Sequence, residues 1–275
     1  MLDDRALCYP VNEAFSRQQV HERTGIADDV LAFWIKQGLL VPLPAEPRAH
    51  RRFSYAQLHV AVFLNSLRSL GVNVGVLRQF ADLFQTGLRE AEAKAAELSA
   101  KELSAAVRLN LKLAKFRSGQ SVRVRVSEDD WGKSGIAETE LDVVESWFWE
   151  DARDGACAAG AEYAQRTSGR VGSATDWALQ LTSADHMRLS DSDAWVAWQD
   201  HSGTAQLAHE GEIALHDEDG PIGAFYVPIS RLVRKVWPER VEPARQHFAR
   251  KSEATISELR QSRSICPGED SEMDG

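Results

Sequence analysis

The first hundred residues contain segments in which apolar residues recur at helical spacing. The first helix should begin at Ser16, because Ser16 and Gln19 fit a capping box. It should run to about Arg23, where Gly25 can take the positive φ that closes a helix. A second helix should begin near Asp28 and end at the next glycine along the chain. Two short helices joined by a glycine turn predict a helix-turn-helix motif.

A proline-rich and basic stretch, residues 44–53, follows the second helix and predicts a β-wing. A third helix should begin at another capping box, formed by Ser54 and Gln57, and stop at Gly71. Asn73 is a suitable N-cap for a fourth helix with one apolar stripe. That stripe consists of Val74, Leu77, Phe80, Ala81 and Phe84. Four helices and a wing are therefore predicted within about 75 residues, and residues 1–86 form the predicted head of the chain.

Seven short motifs follow one another between residues 14 and 86. They are Phe15-Ser16, Val20, Thr24-Gly25-Ile26, Leu31-Ala-Phe-Trp34, Gly38-Leu-Leu40, Arg51-Arg-Phe-Ser54 with Leu58, and Leu67-Arg-Ser-Leu-Gly71-Val72 followed by Leu77. In this order and spacing the chain resembles the N-terminal winged-helix domain of the MerR family of transcription regulators. The resemblance covers less than a third of the chain. It implies binding to double-stranded DNA, with distortion of promoter DNA between two half-sites.

One departure from the family pattern concerns the second helix, where the family commonly has an arginine at the position of Ala32. Arg17 and His21 also replace residues that are usually apolar or small. The contact that this arginine usually makes to a phosphate or a base would be lost. Arg17 and His21 either extend the surface that contacts the DNA backbone or mark a divergent branch of the family.

The geometry of a helix-turn-helix selects the candidate DNA-binding residues. A recognition helix contacts base edges through side chains near its N-terminus, while the wing and helix N-termini hold phosphates. The candidates are Arg17, Gln18, Asp28, Phe33, Lys36, Arg48, His50, Arg51 and Arg52. Because two carboxylates beside phosphates cost affinity, we expect Asp28 and Asp29 to cap the helix. The alternative for the basic wing is a solvated loop without a partner.

Residues 87–118 form a connector that is rich in alanine, glutamate, lysine and leucine, so it should be helical. Leu103, Val107 and Leu111 lie on one apolar stripe. The resemblance implies a homodimer joined by an antiparallel coiled coil at this place, with these three residues at the contact. The alternative is that the connector packs on the C-terminal domain of the same chain.

Residues 119–262 mix strand and helix patterns and predict an α+β domain that matches no effector-domain motif. We expect strands at residues 122–126, 177–182 and 195–199, a hairpin of residues 212–216 and 224–229, and helices at residues 141–165, 230–236 and 242–260. Residues 263–275 should be a disordered acidic tail. Seven of the eight tryptophans follow residue 130, and core positions explain them better than a ligand pocket.

The net charge of −9 is unevenly distributed: +1 over residues 1–87, +5 over residues 88–127 and −15 over residues 128–275. An acidic chain disfavours non-specific coating of nucleic acid, since that mode depends on the number of phosphates neutralised. It remains compatible with a small DNA-binding head whose positive charge is local. Solubility explains the acidic half.

Several functional classes lack positive support. The three cysteines are far apart, the histidines have no ligand spacing, and no nucleophile elbow, phosphate loop or dinucleotide fingerprint is found. We therefore expect no catalysis, no cofactor and no metal. Without a signal peptide or a membrane-spanning stretch, a cytoplasmic protein is expected, with no membrane partner.

The leading hypothesis is a winged helix-turn-helix regulator of transcription that binds specific DNA sequences as a homodimer. Its C-terminal domain would sense a small-molecule or protein effector. One alternative is an architectural or assembly factor, since excisionase-like and phage DNA-packaging proteins use similar winged helices. Another is an enzyme in the C-terminal domain, with the head as a targeting device.

Overall fold

The computed structural model describes residues 7–44, 50–94, 102, 109, 158–167, 173–188, 194–210 and 223–264. The N-terminal helices and strands are β1 (Phe15–Ser16), α1 (Arg17–Thr24), α2 (Asp28–Lys36), β2 (Arg52–Phe53), α3 (Tyr55–Ser69) and α4 (Val74–Lys94). Those that follow are α5 (Ala158–Thr167), α6 (Ala174–Leu181), a 3₁₀ helix (Ala184–Met187), β3 (Trp195–Gln199), β4 (Ala205–His209), β5 (Ala224–Val227), α7 (Ile229–Val236) and α8 (Pro238–Ser264). The α+β class is confirmed. In the described part of the chain, no helix is long and apolar enough to cross a membrane.

The first helix forms as its sequence predicts. The Ser16 hydroxyl accepts a hydrogen bond from the Gln19 N–H at 3.2 Å, and the Gln19 side chain accepts one from the Ser16 N–H at 2.8 Å. Gly25 ends the helix in the left-handed region, with φ 69°. Ile26 is buried next to this turn, between α1 and α2. The predicted capping box and glycine turn are therefore confirmed.

The start of α2 differs from the prediction. The N-cap is Ala27, and no side chain forms a capping hydrogen bond there. Asp28 and Asp29 lie one and two residues further on, in the first helical turn, where their charge still favours the helix dipole. The expectation that they cap the helix is wrong, because a carboxylate inside the first turn no longer occupies the capping position.

The capping box predicted at the start of α3 is also wrong. Ser54 has the extended backbone of an N-cap, but its side chain makes no capping bond. Gln57 is buried instead, and its side-chain oxygen accepts a hydrogen bond from the Val41 N–H at 3.0 Å. Its amide nitrogen donates to Gln85 of α4 at 2.8 Å. The tertiary contacts of Gln57 therefore replace the local cap.

The fourth helix begins as predicted, since the Asn73 side chain accepts hydrogen bonds from the N–H groups of Gly75 and Val76. Its stripe contains Leu77, Phe80, Ala81 and Phe84, all buried. Val74 is 43% exposed, and Val76 is buried in its place. The helix continues to Lys94 and so passes the predicted end of the head.

The C-terminal region contains an antiparallel sheet with the order β4-β3-β5. The strand predicted at residues 195–199 is confirmed, and it pairs Trp195 with both His209 and Val227. Strand β5 thus has β3 as a partner, and the hairpin partner predicted for it, residues 212–216, lies outside the described residues. Strand β4 was not predicted, because its sequence, AQLAH, has no β-branched residue and no alternation.

The strand predicted at residues 177–182 is wrong, since Ala174–Leu181 is the helix α6. Ser173 caps it by accepting a hydrogen bond from the Asp176 N–H. Every residue from 175 to 181 is buried, so the segment has no polar face. A short apolar run of this kind has no periodicity that separates a helix from a strand.

The remaining C-terminal predictions have mixed outcomes. The two final helices are confirmed with shifted bounds, as α7 and α8. Helix α5 overlaps the end of the helix predicted at residues 141–165. The strand predicted at residues 122–126 and most of the acidic tail lie outside the described residues. The proposed domain boundaries stay a prediction.

One hydrophobic core extends through both regions of the chain. Trp195 of β3 has its ring centroid 5.8 Å from that of Phe63 and 6.1 Å from that of Phe84, both in the head. The ring centroid of Trp195 also lies 5.0 Å from that of Trp177 of α6. Trp177, Trp195 and Trp237 are buried, in agreement with the core interpretation of the tryptophans. The C-terminal region therefore supports the head directly.

A buried histidine joins the two regions by hydrogen bonds. The Trp237 indole N–H donates to Nε2 of His59 at 2.8 Å. Nδ1 of His59 therefore carries the proton, and it donates to the Leu181 carbonyl at 2.9 Å. Burial, with a smaller effect of the nearby His186, lowers the pKa of His59 from 6.5 to about 3. The neutral imidazole is thus the form that fits the core.

Candidate nucleic-acid interface

A groove of about 720 Å³ lies between α1, α2 and the wing. Its lining residues are Ser16, Arg17, Gln18, His21, Asp28, Ala32, Ile35, His50 and Arg51. Five of them, Arg17, Gln18, Asp28, His50 and Arg51, are predicted DNA-binding residues. The structure therefore brings residues from three separate segments of the head to one concave surface.

The floor of the groove is formed by one face of α2. Asp28, Ala32 and Ile35 follow one another at helical spacing on this face. Leu31 and Trp34 of the same helix point into the core and are buried. Burial of these two side chains fixes the rotation of α2, so that Asp28 is exposed while Ala32 and Ile35 are half-buried.

The wing is held to the start of α1 by a short antiparallel ladder. Phe15 pairs with Phe53 and Ser16 with Arg52. The Leu43 N–H donates to the Arg52 carbonyl at 2.7 Å, which joins the two arms of the wing. This ladder places His50 and Arg51 beside the first turn of α1.

Three predicted residues are exposed in the head but do not line the groove. Phe33 is 45% exposed on α2, and Lys36 is exposed in the last turn of the same helix. Arg52 is exposed too, and its guanidinium donates to the Ala14 carbonyl at 3.4 Å. Arg48, also predicted to bind DNA, lies outside the described residues, as do Leu103, Val107 and Leu111 at the predicted dimer contact.

An ion pair connects the two helices of the helix-turn-helix across the groove. Nε of Arg17 lies 2.8 Å from a carboxylate oxygen of Asp28. Each residue is the first of its helix, and their side chains are 49% and 55% exposed. Because the two charges cancel, Arg51 is the arginine of the groove lining whose charge is left unpaired by this contact.

Sequence reasoning did not select Ser16 or Ile35 as groove residues, and it noted His21 and Ala32 only as departures from a pattern. The helical spacing from Asp28 through Ala32 to Ile35 could have identified the α2 face. His21 donates from Nδ1 to the Ile26 carbonyl at 2.7 Å, so its ring braces the turn between α1 and α2.

A second concavity, of about 560 Å³, lies at the base of the wing, between α3, α4 and the end of α6. Gln57 and Gln85 contribute to its lining and are hydrogen-bonded to each other. Within the described ranges, no group of histidine, cysteine or acidic residues is arranged to hold a metal ion. The second concavity has one arginine, Arg89, beside Glu13 and Glu92, whereas the first has Arg17 and Arg51 beside Asp28.

Comparison with known proteins agrees with the geometry of the head. Residues 15–83, about a quarter of the 275-residue chain, match the family model of the MerR HTH family regulatory protein. No curated protein matches the sequence. The matched residues run from β1 into α4 and include the groove and both of its helices. The N-terminal part is therefore similar to the helix-turn-helix region of that regulatory family.

Proposed function

We propose that this chain regulates transcription by binding specific sequences in double-stranded DNA through the groove of its N-terminal head. The observation that carries the proposal is the concave surface in which Arg17, His50 and Arg51 surround the groove face of α2. This face lies in the segment that matches the regulator family. An α-helix with such an accessible face fits the major groove, and wing cations beside it reach the flanking phosphates.

The charge distribution supports site-directed binding over general adhesion to DNA. The chain has a net charge of −9, and residues 128–275 alone carry −15. Charge of that sign is repelled by phosphates, so attraction has to come from the head and the basic segment after it, since residues 1–87 carry +1 and residues 88–127 carry +5. Base contacts in the groove then have to supply much of the affinity.

A homodimer is the second part of the proposal. Two linked heads gain affinity by binding two half-sites, because the second contact becomes intramolecular. Helix α4 runs 21 residues, and its last eight, from Gly87 to Lys94, already belong to the predicted connector. Sedimentation of the full chain tests this part, and a monomer at micromolar concentration would contradict it.

The C-terminal region is proposed to sense an effector, and its contacts with the head support that role. Arg23, near the end of α1, donates to the Val236 carbonyl at 3.0 Å and to the Glu239 carboxylate at 2.8 Å. Its guanidinium also lies 4.5 Å from the ring centroid of Trp237. A shift of α7 would therefore act directly on the first helix of the DNA-binding motif. No catalytic step is part of the proposal.

The experiment is recovery of genomic DNA fragments by the purified full chain at near-physiological salt, followed by binding titrations on the recovered sites. The test variant is Arg51→Ala with Arg52→Ala. The matched control is Arg245→Ala with Arg250→Ala, which removes the same charge from exposed positions of α8. We expect the wing variant to bind all sequences more weakly, and the slope of log Kd against log salt to fall by up to about two.

The outcomes separate the hypotheses. A few palindromic sites near promoters, recovered by wild type and control but not by the wing variant, support a dimeric regulator. Dense clusters of sites with oligomers larger than a dimer would favour an architectural factor. Recovery that does not depend on the wing would overturn the proposed role of the groove.

A further inference from the structure

We propose that Arg17 and Asp28 act as one unit that recognises a G·C base pair in the major groove. Arg17 would contact guanine, and Asp28 would be the positioning residue that holds the Arg17 guanidinium. This inference rests on the proposed function, because it names the base specificity of the same groove.

The geometry of the ion pair favours a contact between Arg17 and guanine. Asp28 engages Arg17 through Nε, at 2.8 Å. The two terminal nitrogens of Arg17 have no hydrogen-bond partner among the described residues. A guanidinium held at Nε keeps a pair of parallel N–H donors directed away from its support. Such a pair matches the O6 and N7 acceptors that guanine presents in the major groove.

The charge of the ion pair favours a contact with a base over a contact with a phosphate. An isolated arginine at a helix N-terminus would suit a phosphate, but Arg17 is neutralised by Asp28. A neutral pair releases few counterions, and its carboxylate is repelled by the DNA backbone. In the major groove the same carboxylate can accept a hydrogen bond from the cytosine N4 amino group. The pair is therefore better matched to a base pair than to the backbone.

The ion pair is accessible to a base edge from the groove. Ala32 follows Asp28 by one helical turn on the floor of the groove and contributes only a methyl group. Both members of the ion pair are about half exposed. A base edge can therefore approach the pair without displacing a bulky side chain. Ile35, one turn further along α2, is the next larger group on this face.

The test is selection of binding sites by the full-length protein from a pool of random double-stranded oligonucleotides, with sequencing of the bound fraction. The variants are Arg17→Ala, Arg17→Lys and Asp28→Asn. Asp29→Asn is the matched control, because it removes the same charge from the same helical turn but from a residue outside the ion pair and the groove lining. Thermal unfolding of each variant verifies that it folds.

We expect wild type and Asp29→Asn to prefer G·C at one position of each half-site by roughly 5- to 100-fold. Arg17→Ala should lose this preference and keep the others. Asp28→Asn should lose most of it while binding random DNA more tightly, since a repulsive charge has gone. Arg17→Lys should also lose it, because an ammonium group cannot make the paired contact.

Three results would overturn the inference. If Arg17→Ala weakens binding to every sequence equally and lowers the salt slope by about one, Arg17 is a phosphate contact. If Asp28→Asn keeps the G·C preference, Asp28 does not position Arg17. If all of these variants enrich the same sequences as wild type, and Arg51→Ala with Arg52→Ala abolishes that enrichment, only this inference fails. Absence of any enrichment by wild type would refute the proposed function as well.

Discussion

The two regions of the molecule contribute to one core, but all residues that line the groove come from the head. In the head, the apolar side chains pack inward at helical spacing, and cationic groups remain on the surface around one groove. In the C-terminal region, the buried tryptophans Trp177, Trp195 and Trp237 extend the core of the head. The proposed DNA contacts and the support of the head thus belong to different parts of one continuous core. Changes in the shared core should therefore affect the head as much as changes in its own helices.

The largest effect is expected from removing the tryptophan at the centre of this shared core. Trp195→Ala should lower the free energy of unfolding by about 3–5 kcal/mol, because Trp195 is fully buried between Phe63, Phe84 and Trp177. Chemical denaturation, followed by circular dichroism and by fluorescence, measures the loss. The control is Tyr226→Ala, at a residue that is 53% exposed. Separate transitions for the head and the C-terminal region would contradict a common core.

The second effect concerns acid stability and the His59 contact between the regions. The unfolded chain binds a proton at His59 near pH 6.5, whereas the folded chain does so only near the lowered pKa of about 3. The stabilisation is therefore complete above pH 6.5 and decreases as the pH falls towards 3, by about 1.4 kcal/mol per pH unit.

Denaturant titrations between pH 7 and pH 4.5 measure this dependence. His59→Gln should be less stable at neutral pH and should show a shallower decline in acid. His201→Gln, which replaces an exposed histidine in the turn between β3 and β4, serves as the control. An equally steep decline in His59→Gln would show that other groups control the acid response.

The smallest of the three effects comes from the contact between α4 and α6. A Cβ atom at Gly87 would lie 1.9 Å from the Ala174 carbonyl oxygen and 2.7 Å from Cβ of Ala178. Gly87→Ala should therefore separate the helices and cost about 1–3 kcal/mol, offset in part by roughly 0.5–1 kcal/mol of better helix propensity. Gly75→Ala is the control in the same helix, since its Cβ would meet only the Asn73 side chain, at 3.1 Å. Equal melting temperatures for the two variants would refute the close approach.

Several local features of the head follow from residue types that are close together in the chain. The Ser16 capping box, the glycine turns at Gly25 and Gly71, and the Asn73 cap depend on residues within a few positions of one another. Their energies are local, so a pattern of residue types is sufficient to predict them. Of the nine predicted DNA-binding residues, five line the common groove.

Other features depend on contacts between residues that are distant in the chain, and only the fold reveals them. Gln57 fits a capping box in sequence, but hydrogen bonds to Val41 and Gln85 place it in the core. Residues 174–181 are helical although a strand was predicted, because a segment buried on all sides carries no periodicity. The pairing of Arg17 with Asp28 also required the fold, since it joins two helices whose relative orientation is set by the packing of Ile26, Leu31 and Trp34.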